Sequence, residues 1–170
     1  MHRARAQDLL EAVAELARAG ARYRVPIMLE IEPHGNSYAD VAQLNVLCDA
    51  IDVAGVPKHA WGICVDTAHI WAAGTDISSA EGMSAWLQAL KSPEKVKLVH
   101  LNGCQTALGF GRDQHALVTS RHDLVFIAGR AGADVMYRWC RDRGIPMIME
   151  INMKEEFAEL PGVLQRLQSL

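Results

Sequence analysis

The chain has 170 residues, 50% of them hydrophobic and 22% charged, with a formal net charge of −3. That is enough material for one buried core, so a single domain over 1–170 is expected. No apolar run approaches the roughly 20 residues of a membrane span, and the slightly acidic balance does not announce a nucleic-acid binder, although metal ions can neutralise clustered carboxylates locally.

The opening "MHRARAQDLLEAVAEL" is basic at first, but Asp8, Glu11 and Glu15 interrupt it and no hydrophobic region with a small-residue cleavage site follows. A helix over 4–18 is expected rather than a signal peptide, with Leu9, Leu10, Val13, Leu16 and Ala17 on one face and Gly20 as its stop. "VPIMLEIE" then reads as a buried strand entered at Pro26. A helix over 38–53 carries Val41, Leu44, Leu47 and Ile51 in step. "AWGICVD" is the second strand, followed by a helix over 79–90 and the third strand, "VKLVHLN".

The segment 103–131 is too long for an idle connection, and loops of that length are usually functional. A helix over 134–143, the strand "IPMIMEIN" and a helix over 155–167, broken or kinked at Pro161, complete the order. Alternating helices and unbroken apolar strands imply a parallel sheet covered by helices. "RYRVPIMLEIE" and "DRGIPMIMEIN" echo each other, as repeated βα units do, and no strand is followed by G-x-G-x-x-G. The four cysteines, Cys48, Cys64, Cys104 and Cys140, form no C-x-x-C pair, which fits a reducing, intracellular compartment, cytoplasm or nucleus.

Every expected strand ends in a metal-competent group: Glu30, Asp66, His100 and Glu150. In parallel α/β folds these ends converge on one face. Three carboxylates and a histidine gathered there repel and desolvate one another unless cations neutralise them, and divalent ions are the simplest resolution. His69 follows Asp66 by about one helical step, and Asp113-x-His115 puts two ligands on one side of an extended segment. Together these make a His/Asp/His set suited to zinc or manganese. Each also has a structural reading: Asp66 as a helix N-cap, His69 as a satisfied buried imidazole, and the D-x-H segment as a solvated turn.

"GICVDTAHIWAAGTDI", "VKLVHLN", "GFGRDQHA" and "IPMIME" resemble the endonuclease IV family of zinc-dependent apurinic/apyrimidinic endonucleases, over essentially everything from Pro26 onward. The resemblance implies α/β architecture of the TIM (β/α)8 barrel type. About four strands are present here, a half barrel corresponding to the family's C-terminal half. It implies up to three Zn2+ ions, with Mn2+ as the other fitting ion. Glu30 would bridge the first and second sites, Asp66, His100 and Glu150 would complete the second, and His69, Asp113 and His115 would form the third. Glu30 and Glu150 are the expected catalytic carboxylates, Glu150 positioning or deprotonating the attacking water.

His34, Asn36, Trp71 and Arg112 are the expected substrate contacts. The implied reaction is metal-assisted cleavage of the phosphodiester 5′ to an abasic site in double-stranded DNA during base excision repair, with the abasic nucleotide flipped out. A half barrel leaves two open sheet edges, so a complementary N-terminal half or self-association is an expected partner. Two other readings stand beside this one: a xylose isomerase-like sugar isomerase or epimerase, and an inactive half-barrel DNA-binding or assembly subunit.

Overall fold

The computed structural model describes residues 2–33, 38–127, 129–151 and 154–170. The main sheet has four parallel strands in the order β1 (Ile27–Glu30), β2 (Trp61–Asp66), β3 (Val96–His100) and β6 (Met147–Ile148). A second, antiparallel pair, β4 (Gly103–Cys104) and β5 (His115–Ala116), lies within the long connection. The helices are α1 (His2–Tyr23), α2 (Val41–Val53), α3 (Thr67–Ala72), α4 (Ala80–Ala89), α5 (Ala131–Arg143) and α6 (Leu160–Gln168), with 3-10 turns at Pro93–Lys95 and Lys154–Ala158. Among the described residues, no helix is long and apolar enough to cross a membrane.

β2 lies between β1 and β3 and is buried at every position, as an apolar strand covered on both faces must be. Its companions on the core side are Leu44, Leu47 and Ile51 of α2, Met83 and Trp86 of α4, and Met136 and Cys140 of α5. α1 docks through Leu10, Val13, Ala14 and Ala17. Leu16, expected on that face, is instead 58% exposed, because it falls just off the stripe that residues 10, 13, 14 and 17 define. The helix also runs past Gly20: the Val25 N–H donates to the Gly20 carbonyl at 2.8 Å, so the turn comes after Tyr23.

The last strand is much shorter than "IPMIMEIN" suggests, and the reason is local. The Leu101 N–H still donates to the Ile148 carbonyl (2.8 Å), but the Glu150 N–H donates to the Asn102 side-chain oxygen (2.8 Å) instead of continuing the ladder. Pro161 sits in the first turn of α6, where its missing N–H removes no helical bond, so the expected break is a helix start preceded by a separate 3-10 turn.

The 103–131 connection is organised by a fully buried carboxylate. Asp123 accepts from the N–H groups of Thr119 (2.7 Å), Val125 (2.8 Å), Phe126 (3.2 Å) and Cys104 (3.3 Å). Gly103 packs its Cα against that carboxylate, in a space where a Cβ would collide with it. Gly103→Ala is therefore expected to lower stability by about 1–3 kcal/mol through overpacking, read as a lower denaturant midpoint at unchanged slope.

Candidate metal centre

All four predicted strand-end groups come together. β1 and β2 are in register at Glu30 and Cys64, while Asp66 pairs with His100, so the carboxyl ends of three neighbouring strands open at one level. Glu150 follows two residues past β6, whose Ile148 pairs with His100. His100 Nδ1 is the focus: it lies 3.0 Å from Glu30 Oε1, 3.2 Å from Glu150 Oε2 and 3.5 Å from Asp66 Oδ2. The two glutamates of the echoed sequence pattern thus flank one imidazole. The hydrogen bond with Asp66, reinforced by the charges of Glu150 and Glu30, outweighs desolvation and raises the His100 pKa to about 9.

Asp66 serves both of its expected roles, one with each oxygen. Its Oδ1 caps α3, accepting from the N–H groups of Ala68 (2.7 Å) and His69 (3.2 Å). Its Oδ2 faces the cluster, 3.5 Å from both His100 Nδ1 and His115 Nε2. Burial alone would raise this carboxyl's pKa, but the hydrogen bond with His100 and the neighbouring His69 and His115 hold it below the ordinary range.

Because α3 starts at Asp66, its first turn carries His69 inward. His69 Nδ1 lies 2.6 Å from the Ile31 carbonyl, which only accepts, so the ring hydrogen belongs on Nδ1 and Nε2 is free to bind. Desolvation works against a proton on this ring, but Asp66, the Ile31 carbonyl and Asp113 outweigh it and the pKa is raised. Asp113 and His115 lie on the same side of their segment and both face His69. Asp113 Oδ1 is 2.7 Å from His115 Nε2 and 3.4 Å from His69 Nε2, and the two rings stand 5.5 Å apart. His115 reaches this place because β5 pairs with β4, which follows β3 directly.

Among the described residues, three sets have potential ligand atoms within 4.8 Å of one another: Glu30, Asp66, His100 and Glu150; Asp66, His69 and His115; and Glu30, Cys64 and His100. Burial, with Glu30 and Asp66 adding to it, pushes the Cys64 pKa to about 12, which keeps this group a thiol and leaves the carboxylate–imidazole sets as the better donors. The Nε2 atoms of His69 and His115 are both buried without a hydrogen-bond partner, yet both converge on Asp113. A buried imidazole nitrogen without a partner is costly, and a divalent cation shared between them would satisfy both. The donor set of imidazole nitrogen and carboxylate oxygen suits zinc or manganese.

The central residue that sequence reasoning left without a role is Asn102. It is buried, and its Nδ2 donates to Asp66 Oδ2 (2.9 Å) and Glu150 Oε2 (3.1 Å), while its Oδ1 accepts from the Glu150 N–H (2.8 Å). Its own backbone is fixed by Thr67, whose Oγ accepts from the Asn102 N–H (2.9 Å) and donates to the Asn102 carbonyl (2.5 Å). One neutral amide therefore ties β2, β3 and the end of β6 together between two carboxylates. The available signal was the asparagine two residues beyond His100 in "VHLN", a polar residue at the end of an apolar strand.

Glu156 went unnoticed as well. It is fully buried and accepts from the Leu117 N–H (3.0 Å) and Ser120 Oγ (2.8 Å), anchoring the chain two residues beyond His115. Trp71, expected at the mouth, is half-buried, and its indole N–H donates to the Thr106 carbonyl (2.9 Å), so it supports the 105–114 loop from beneath. Arg112 is exposed beside Asp113. His34 and Asn36 lie outside the described residues.

Parallel βα units with acidic and histidine side chains gathered at the carboxyl ends of their strands define part of a TIM barrel with a candidate metal centre at its mouth. The chain belongs to the xylose isomerase-like TIM barrel family, whose model matches residues 2–164. It is 29% identical over 148 residues to a probable endonuclease 4 of Moorella thermoacetica, covering 84% of this chain and 51% of that one. It is 34% identical over 129 residues to a probable endonuclease 4 of Methanoculleus marisnigri, covering 72% of this chain and 42% of that one. The fold matches endonuclease IV from Thermus thermophilus with a TM-score of 0.64 at 24% identity, covering 85% of this chain and 51% of that one. The chain thus spans about half the length of the curated relatives it matches.

Proposed function

We propose that this chain carries the metal-binding half of an apurinic/apyrimidinic endonuclease acting on double-stranded DNA, cutting the phosphodiester 5′ to an abasic site. The observation that carries this reading is the convergence of Glu30, Asp66, His69, His100, Asp113, His115 and Glu150, with two buried imidazole nitrogens left for a cation. The names of the curated relatives supply the reaction class. Four free, buried thiols suit an intracellular, reducing compartment such as cytoplasm or nucleus, where such a substrate is found.

In this reading Glu30, Asp66, His100 and Glu150 hold one ion, and His69, Asp113 and His115 hold a second, with Asp66 between them. Zn2+ is the proposed ion and Mn2+ the alternative with the same donors. Bound there, divalent ions supply Lewis-acid stabilisation of the charge that develops on a phosphate. The residues set the rest. Glu150 is partly open to solvent while Asn102 fixes its Oε2 and its backbone, so it is placed to orient a water and accept its proton. Arg112 supplies an exposed cation beside the cluster for the substrate phosphate. An abasic nucleotide enters such a mouth cheaply, because it has no base to unstack.

Glu30 lies on β1, an edge strand of the described sheet, so further ligands for a third ion would come from strands pairing there. β6 is the opposite edge, with Ile148 47% exposed, and Met28 of β1 is 38% exposed. Open edges with exposed apolar residues favour completion of the barrel by a complementary N-terminal half or by a second copy of the chain.

The test is incision of a duplex carrying one tetrahydrofuran abasic analogue. Zinc-loaded protein, with any complementary half supplied, is expected to make a single cut on the 5′ side. Activity is expected to disappear on chelation and return with Zn2+. Molar mass by light scattering on the same sample separates a second copy from a foreign half. Keto-sugar turnover without incision would replace this reading with a sugar isomerase. Zinc uptake and duplex binding without incision would leave a DNA-binding or assembly subunit.

A further inference from the structure

The 105–114 loop carries a feature that metal binding does not use. Its tip, 107–110, is wholly exposed and includes two large apolar side chains, Leu108 (42% exposed) and Phe110 (62%). Exposed apolar groups on a slack loop would be unremarkable, but this loop is held in place. The Gly109 N–H donates to the Trp71 carbonyl (3.0 Å) and the Gly111 N–H to the Ala72 carbonyl (2.9 Å). Both donors are glycines in left-handed conformation, with φ of 73° and 69°, which turn the backbone down onto the end of α3 and leave Phe110, between them, standing out. Trp71 and Thr106 close the base of the loop, and the Phe110 N–H donates to the Ala107 carbonyl (3.1 Å). The Arg112 guanidinium lies 6.0 Å from the Phe110 ring centroid, so a cation accompanies the aromatic tip.

This tip stands beside the candidate metal centre. Asp113 is three residues beyond Phe110, so even a fully extended chain keeps their Cα atoms within about 11 Å. With a rise of about 3.4 Å per nucleotide along a strand, that is a reach of about three steps from a phosphate held at the cluster. An aromatic face, a neighbouring guanidinium and a rigid mount are what stacking on an unpaired or gap-flanking base requires.

We propose that Phe110 is a base-stacking residue that reads the nucleotide next to the abasic gap, with Leu108 filling the remaining space and Arg112 pairing with the adjoining phosphate. This rests on the endonuclease reading above and adds to it a specificity element on this chain's own half of the barrel. The missing base leaves a hole in the stack, and an exposed aromatic ring can fill it where intact duplex offers no room.

The test uses the zinc-loaded protein and a duplex with a tetrahydrofuran abasic analogue beside a 2-aminopurine. Wild-type binding is expected to change the 2-aminopurine emission. Phe110→Ala is expected to abolish that change and weaken binding about five- to 150-fold, the range alanine substitution gives for one stacked base. Phe110→Trp is expected to restore both. Zinc content and melting temperature serve as folding controls, because the side chain is exposed and lies outside every ligand set.

Phe110→Ala binding as tightly as wild type, with the same emission change, overturns the proposal. So does a change in molar mass with DNA binding unaffected, which would make the tip a protein contact. Binding and incision are read separately. Normal incision with binding indifferent to Phe110 sinks this proposal alone, and Phe110-dependent binding without incision sinks the endonuclease reading alone. A wild type that does not bind the duplex sinks both.

Discussion

Asp66→Asn is expected to abolish tight metal binding and reduce incision by more than about 100-fold while leaving the fold intact. Partners that merely support a metal ligand cost about 10–100-fold when removed, and Asp66 lies at both clusters. The choice of asparagine separates its two roles. Asn is as good an N-cap as Asp, so the bonds to the Ala68 and His69 N–H groups survive and α3 still begins where it does. What disappears is the negative charge opposite His100 and His115, together with the acceptor for Asn102 Nδ2, because the amide nitrogen takes the place of Oδ2. Asp66→Ala removes the cap as well and should lower stability by about a further 1 kcal/mol. The checks are zinc stoichiometry, the incision rate and the denaturation midpoint of the metal-free protein. An Asn variant that keeps full zinc and full rate would mean that Asp66 is a helix cap and nothing more.

Asn102→Ala is expected to cost about 10–100-fold in zinc affinity and in turnover. The loss is indirect, since an amide is no match for carboxylate and imidazole as a ligand. Without the side chain, Asp66 Oδ2 and Glu150 Oε2 lose their shared donor and the Glu150 N–H loses its acceptor. Two carboxylates that the amide now holds apart would then repel directly, and Glu150 would be free to rotate. A purely structural role would lower the melting temperature equally with and without zinc. A positioning role predicts a smaller zinc-induced rise in melting temperature for the variant than for wild type. Equal rises in the two proteins would rule out positioning.

Much of this was legible in the chain itself. The order of helices and parallel strands follows from apolar periodicity, and β2 needs no more than its unbroken run to be read as a buried strand. The ligand types at the strand ends were also legible, because a charged residue closing an apolar strand stands out against its neighbours. Leu16 and the length of the last strand were misjudged for a common reason. Periodicity shows that a face exists, but not where its border falls, and a ladder can be cut short by a side chain from elsewhere. Asn102 cuts it here, and nothing within "IPMIMEIN" reveals that.

By itself the sequence determined which residues could bind a metal, since donor chemistry belongs to the residue type and strand ends are local features. It also settled the alternation of elements that brings such ends to one face. Only the tertiary structure decided the sharing. The choice between helix cap and ligand at Asp66 proved false, because one carboxylate has two oxygens and the fold points them in different directions. Likewise Asn102, Glu156 and Asp123 acquire their roles from partners 19 to 48 residues away, as well as from near neighbours. Contacts across such separations are set by packing and register, which no local pattern encodes.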